Sequence, residues 1–264
     1  GKIVRSTDNG FSWDNATILI DLTGNRLRGV TFGNNTFVGA GDYGYIVRST
    51  DNGTNWDNAS KPLNKVIWDI GFGNNTFVGG TQSGYIVKST DNGSSFSSWN
   101  ISGVTHLTDV SFGNNTFVGV SWGGEIIRST DNGSNWASVA SGTGKNLFGV
   151  TFANNTFVAV GQDGNILRST DNGSSWDNAT SRTGSSLWGV VFGNNTFVAV
   201  GGSVNISRST DNGLSWDNVT HGQGNKLAAG DVTFGNNTFV AVGDDGSIER
   251  STDNGENWAS VTSG

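Results

Sequence analysis

Cysteine and methionine are absent from the 264 residues and proline occurs once. No apolar run approaches the roughly 18 residues that a bilayer-spanning helix requires, so no membrane insertion is expected. Without cysteine there is no disulfide framework, no thiol chemistry and no thiolate metal site, and the chain suits an oxidising or a reducing compartment equally. Basic residues are also scarce: 15 Lys and Arg against 22 acidic residues give a net charge of -7, spread along the chain. Phosphate binding needs clustered Lys and Arg, which excludes a nucleic-acid groove. The chain also lacks an initial Met. It opens on Gly1 in the middle of a repeat, which points to processing or trimming.

Glycine, by contrast, reaches 41 residues, and aromatic residues make up 11%. That profile suits many short strands and tight turns better than helices. The length is sufficient for one large or two ordinary domains.

Repetition decides the architecture. The string [RK]-S-T-D-N-G begins at Arg5, Arg48, Lys88, Arg128, Arg168, Arg208 and Arg250, with spacings of 43, then 40 four times, then 42 between its aspartates. A second string, F-[GA]-N-N-T-F-V, starts at Phe32, Phe72, Phe112, Phe152, Phe192 and Phe234. A unit of about forty residues with several short strands has the size of one propeller blade. In residues 147–180, "LFGVTF" reads as an inner strand, "ANN" as a tight hairpin turn and "TFVAVG" as the returning strand. "QDG" turns again, "NILRS" is a third strand, "TDNG" another turn, and "SSW" begins a fourth. A sheet with two apolar faces is stable only when stacked on neighbours.

The expectation is an all-β propeller of four-stranded antiparallel blades: one domain over 1–264, with six complete repeats and an N-terminal half repeat, hence six or seven blades. Residues 1–17 form a surplus hairpin. It is either the visible part of a seventh blade or an element that docks on a neighbouring subunit by strand addition.

In S-T-D-N-G-x-x-W the carboxylate can accept N–H bonds inside its own turn, glycine takes the left-handed conformation, and Trp packs across the hairpin. The pattern S-x-D-x-G-x-x-W occurs at Ser6–Trp13, Ser49–Trp56, Ser129–Trp136, Ser169–Trp176, Ser209–Trp216 and Ser251–Trp258, with Phe96 as the aromatic after Ser89. It resembles the Asp-box, or BNR repeat, of sialidase-type propellers. The wider pattern of V-x-F, an aromatic-rich strand and G-x-I-x-R-S-T-D-N-G is similar to the propeller of photosystem II assembly factors. The resemblance covers essentially the whole chain. It implies a propeller in which Asp8, Asp51, Asp91, Asp131, Asp171, Asp211 and Asp253 are structural and lie away from any active site.

Between repeats, the face carrying the GNN and TDNG turns hardly varies, whereas the opposite loops do: "GDYG", "TQSG", "SWGG", "GQDG", "GGSV" and "GDDG". The inner strands begin at Arg28, Trp68, Thr108, Phe148, Trp188 and, after an insertion, Ala229 and Gly230. Aromatic rings beside carboxylates and amides suit a sugar, which makes Trp68, Trp122, Trp188, Tyr43 and Asp163 the candidate ligand surface. The competing reading is that these rings cover the propeller's core. Asp69, Asp109 and Asp231 share a repeat position held elsewhere by Gly29, Gly149 and Gly189, and could offer oxygen ligands to calcium. Hydrogen bonding in a turn explains them without a metal, and no metal site is assigned.

A sialidase needs an arginine triad and a Tyr nucleophile with a Glu partner. Outside the repeated string only Arg26, Arg28 and Arg182 remain, the first two side by side in one blade, and tyrosine is limited to Tyr43, Tyr45 and Tyr85. His106 and His221 stand apart from any Ser or Asp signature. Neither a catalytic residue nor a cofactor is expected.

Asn-x-Ser/Thr sequons occur at Asn15, Asn34, Asn52, Asn58, Asn74, Asn92, Asn100, Asn114, Asn132, Asn154, Asn172, Asn178, Asn194, Asn205, Asn218 and Asn236. They suit glycosylation in a secretory or surface pathway, although good turn sequences repeated many times also generate sequons by themselves. The functional expectation is a non-enzymatic extracellular or cell-surface propeller, a structural or adhesive scaffold assembling with itself through the surplus hairpin. The alternative is a glycan-binding lectin using the variable face, with a glycoside hydrolase less favoured.

Overall fold

The computed structural model describes residues 2–19, 24–202, 205–219 and 230–261. The chain is all-β, a six-bladed propeller of four-stranded antiparallel sheets whose strands follow one another in sequence order. The first sheet comprises β4 (Leu27–Gly33), β5 (Thr36–Gly41), β6 (Ile46–Ser49) and β7 (Asn55–Asn58). Before it, β1 (Val4–Arg5) and β2 (Asp14–Asn15) form a separate two-stranded sheet. β3 (Thr17–Ile18) leaves that hairpin and runs parallel to β7, pairing Thr17 with Asn55 and Ile18 with Trp56. A parallel bridge at the same repeat position recurs between Thr180 and Ser215, where the Thr180 N–H donates to Leu214 O at 3.1 Å.

Local chemistry sets the hairpins. Asn34 and Asn35 sit at φ 49° and 56°, and Asn114 and Asn115 at 45° and 56°, the successive left-handed residues of a primed two-residue turn. The inner strand carries a bulge where it begins: register shifts between Leu27 and Gly29, Ile67 and Asp69, Leu107 and Asp109, Leu147 and Gly149, and Leu187 and Gly189. Arg28, Trp68, Thr108, Phe148 and Trp188 are therefore extra residues, released from the inward-outward alternation.

Two compact units are distinguished: residues 1–5 with 14–139, and residues 6–13 with 140–264. In the first, Val38, Ile46, Ile67, Ile70, Phe77 and Val87 form one buried cluster, and Val78, Ile86, Leu107, Val110, Phe117 and Ile127 another. In the second, Val158, Val160, Leu187, Phe197 and Trp216 form one, and Val198, Val200, Ile206, Val232 and Phe239 the next. At three of the contacts between neighbouring sheets a ring meets glycine, while in the second unit Ala153 holds the same repeat position before Phe192. A Cβ on Gly33 would lie 2.2 Å from the Phe72 ring, on Gly73 2.0 Å from Phe112, and on Gly193 2.2 Å from Phe234. Each of these phenylalanines rests on the glycine that ends the preceding inner strand.

The S-T-D-N-G turn is built the same way seven times. The Ser hydroxyl donates to the Asp carboxylate (Ser49 Oγ to Asp51 Oδ1, 2.8 Å) and accepts the Gly N–H (Gly53, 3.0 Å). The carboxylate also accepts the N–H of the residue four positions on (Asn55, 2.9 Å) and that residue's side chain (Asn55 Nδ2, 2.7 Å). That fourth residue is Ser or Asn in every copy: Ser12, Asn55, Ser95, Asn135, Ser175, Ser215 and Asn257. The x-x of the sequence pattern thus concealed half of the lock.

These bonds set the carboxyl pKa values. Asp51 is lowered to about 2, first by the Asn55 N–H and then by the Asn55 side chain; Asp8 and Asp131 fall to about 2 chiefly through the side chains of Ser12 and Asn135. For Asp91 and Asp171, burial is the largest single influence and raises the value, but the combined hydrogen bonds outweigh it and both reach about 2. Asp211 and Asp253 are lowered by the same balance.

The locked turn then grips the sheet before it. In the first unit Arg48 Nε donates to Asn92 O (2.9 Å), Asn92 Nδ2 to Thr36 Oγ1 (2.7 Å) and Asn132 Nδ2 to Thr76 Oγ1 (2.6 Å). In the second, Arg168 Nε reaches Asn212 O (2.8 Å), Arg208 Nε reaches Asn254 O (2.7 Å), and Arg250 Nε reaches Asn9 O (3.1 Å), with Asn236 Nδ2 on Asn9 Oδ1 (2.7 Å). The turn of the N-terminal hairpin therefore occupies, on the sixth sheet, the position that a following turn occupies on the earlier ones.

Two outcomes follow. Carboxyls whose pKa is depressed stabilise the fold fully above the ordinary carboxylate value of about 4 and lose that contribution as pH falls toward 2. The thermal midpoint should be level from pH 7 to 5 and drop from pH 4 to 2; a midpoint level down to pH 2.5 would contradict the lock. Replacing Gly73 by Ala forces a methyl into the Phe112 ring and should cost about 1–3 kcal/mol in urea denaturation.

Candidate functional site

The bulges aim Arg28 and Trp68 along the variable face, and in the first unit these two assemble with Trp122 and His106 into one stack. The Arg28 guanidinium lies 4.5 Å over the Trp68 ring, Trp68 and Trp122 are 6.1 Å apart at 42°, and Trp122 stacks on His106 at 4.2 Å and 17°. Asp42 anchors one end, accepting from Arg28 Nε at 2.7 Å and from the Arg26 N–H at 3.3 Å. At the other end the Trp122 N–H donates to His106 O at 3.1 Å. Trp68 is half-buried, and its indole Nε1 is buried without an acceptor among the described residues. Trp122 is 37% exposed. The arrangement presents planar apolar surface and one cation, which are the means to hold a planar ligand.

The second unit repeats the motif in shorter form. Phe148 stacks on Trp188 at 4.4 Å and 27°, and Trp188 is 38% exposed. Asp163 pairs with Lys145 at 3.6 Å, and its N–H donates to Ser186 Oγ.

Of the residues singled out in the sequence, Trp68 and Trp122 come together. Tyr43, 57% exposed at φ 55°, makes no ring contact among the described residues. Trp188 and Asp163 belong to the second unit. In the sequence Arg28 stood at the start of an inner strand and among the few arginines open to a hydrolase, and His106 stood apart from any signature, yet both extend the stack. Arg28 lies one repeat before Trp68, at the same bulge position, and that shared position was the available signal.

The remaining hydrolase elements are otherwise engaged. Arg182 pairs with Asp217 at 3.1 Å, and Tyr45 and Tyr85 lie under Lys61 and Lys65. Asp109 and Asp231 accept the N–H of the next residue, at 2.6 and 2.8 Å. Among the described residues no group of three acidic, His or Cys side chains is arranged to hold a metal. His221 and Ala229 lie outside the described residues. Among the sequons, Asn92, Asn100, Asn132 and Asn205 already donate their amide nitrogens, to Thr36, Ser83, Thr76 and Thr183.

A cavity of about 430 Å³ lies away from the stack, lined by Lys88, Thr90, Ser97, Trp99 and Ser134. Lys88 Nζ donates to Ser134 Oγ at 2.9 Å beside it. A second, of about 250 Å³, is lined by Arg208, Ser215, Asp217 and Glu256 among others. Both adjoin the S-T-D-N-G turns.

No protein-family model matches the sequence, and no curated protein matches it. Solved structures do. YCF48 from Cyanidioschyzon merolae superposes with a TM-score of 0.68 at 17% identity, over 89% of this chain and 84% of that one. A YCF48 bound to a D1 peptide gives 0.71 at 19% identity, over 94% and 86%. The computationally designed Ika8 protein gives 0.68 at 14%, over 94% and 81%. These likenesses establish the fold: it is a β-propeller. At such identities they speak for nothing finer.

Arg28 holds two partners at once, an ion pair with Asp42 and a cation–π contact with Trp68. Arg28→Ala should therefore leave the fold intact at a cost of about 1 kcal/mol in chemical denaturation. It should also shift tryptophan emission, because Trp68 loses its cover; an unchanged spectrum would show that the stack is not formed in solution.

Proposed function

We propose that this chain is a non-enzymatic propeller scaffold that holds a polypeptide segment against the Arg28, Trp68, Trp122 and His106 stack. The observation that carries the reading is the stack itself, with the Trp122 ring 37% exposed at its surface. Side chains of an extended segment would cover the exposed ring of Trp122. A structural neighbour bound to a D1 peptide supports the choice of ligand class. Its non-enzymatic character is supported by arginines already committed to carboxylates and by the likeness of the repeated turn to the structural Asp-box. We extend the reading to an extracellular or cell-surface setting, where exposed sequons such as Asn74 and Asn154 would carry glycans.

One observation favours a second reading. The Phe148 and Trp188 pair offers a flat, exposed ring face suited to a sugar's C–H surface. Peptide-display selection and a glycan array, each run on Trp122→Ala and Trp188→Ala chains, separate the two. Selected peptides should lose at least about tenfold in affinity with Trp122→Ala and keep it with Trp188→Ala, a difference of about 1.4 kcal/mol. A glycan whose binding vanishes with Trp188→Ala while no peptide is selected would replace the first reading with the second.

A further inference from the structure

The two cavities beside the S-T-D-N-G turns occupy one repeat position, and their linings have diverged in charge. Lys88, Thr90, Ser97, Trp99 and Ser134 line the first, and Arg208, Thr210, Asp217, Val219 and Glu256 hold the same five positions around the second. Strand pairing fixes the correspondence: Ile86 faces Trp99 as Ile126 faces Val139, Ile206 faces Val219 and Ile248 faces Val261. The second cavity satisfies its own charges, since Arg208 pairs with Glu256 at 3.1 Å and donates its Nε to Asn254 O.

The first cavity departs from the repeat at two places. Lys88 replaces the arginine found at Arg48, Arg128, Arg168, Arg208 and Arg250. Arg48, Arg168 and Arg208 each bond the Asn carbonyl of the following turn, whereas Lys88, without a guanidinium fork, donates its ammonium to Ser134 Oγ at 2.9 Å. Among the described residues Lys88 makes no ion pair. Trp99 is the second departure, standing where other repeats hold Val139, Val219 and Val261 or Ala59 and Ala179. Its ring packs on the buried cluster of Val78, Ile86, Val104 and Leu107 and stays half-buried. The unpaired cation and the added ring therefore meet in one cavity, within a single compact unit.

We propose that this cavity binds an acidic sugar, a uronic acid residue, with the C–H face of the sugar on Trp99 and its carboxylate on Lys88. Its volume of about 430 Å³ lies within the range of about 300–1,000 Å³ that small-molecule sites occupy. The hydroxyls of Thr90, Ser97 and Ser134 surround the ring and the cation, which matches a ligand carrying hydroxyls along its rim. Ser97 Oγ donates to Lys88 O at 3.4 Å and keeps its lone pairs for a sugar hydroxyl. The inference does not rest on the peptide proposed for the aromatic stack, and it uses neither Phe148 nor Trp188.

The test is an NMR titration of the intact, isotope-labelled chain with methyl glucuronide, read at the amide signals of Ser97 and Ser134. The signals should move saturably at millimolar probe. Methyl glucoside, which lacks the carboxylate, and inorganic sulfate, which lacks the ring, should each bind at least about tenfold more weakly. Lys88→Ala removes the cation and should weaken glucuronide binding at least about tenfold. Trp99→Val and Lys88→Arg restore residues that other repeats hold, so the fold accommodates both, and each should weaken binding to the same extent. In Lys88→Arg the guanidinium would take up the Asn132 carbonyl and fill the cavity, as its counterparts do. No saturable shift, glucoside or sulfate binding as tightly as glucuronide, or an affinity indifferent to Lys88→Ala or Trp99→Val would each overturn the proposal.

Discussion

The structure depends on one interaction, a carboxylate satisfied from inside its own turn. Each aspartate of the S-T-D-N-G string takes a serine hydroxyl, a backbone N–H and a Ser or Asn side chain, with no cation required. That closure fixes the following Asn at φ near 60° and the Gly at φ 74–82°, so the Asn carbonyl and amide point outward in a set direction. The arginine and threonine of the preceding sheet then find them in place. Local turn chemistry thereby becomes sheet-to-sheet contact in both units, and the glycine-on-phenylalanine packing closes the inner part of the same interface.

Most of the architecture was legible in the sequence, because a forty-residue period with two invariant strings leaves few alternatives. Less visible features have specific physical reasons. The bulge is encoded by apolar residues three apart, Ile67 and Ile70 or Leu107 and Val110, where plain alternation would put them two apart. A reader expecting period two absorbs the extra residue as a strand start. β3 is hard to see because two residues carry no alternation, and among the described residues the pairing recurs only as the single Thr180–Ser215 bridge. The fourth residue of the turn lock was overlooked because Ser and Asn look interchangeable until both are seen donating to the same carboxylate oxygen.

The candidate site divided the same way. Trp68 and Trp122 stood out as large rings in a variable region, and they do meet. Their flanking partners did not stand out, because guanidinium over indole and imidazole on indole are relations between residues far apart in sequence. Arg28 and His106 acquire meaning only from the geometry that brings them to Trp68 and Trp122. The sequons show the opposite limit. A string readable as a glycan acceptor turns out, at Asn92 and Asn132, to spend its amide on a threonine of the neighbouring sheet.

The bulge has a consequence for how such a molecule changes over time. A residue outside the ladder register is not fixed by the backbone pairing, and five repeats hold Arg, Trp, Thr, Phe and Trp there without disturbing the strands on either side. Each of these five repeats therefore carries one rewritable letter on an otherwise copied page, and new recognition can evolve by single substitutions while the scaffold is inherited intact.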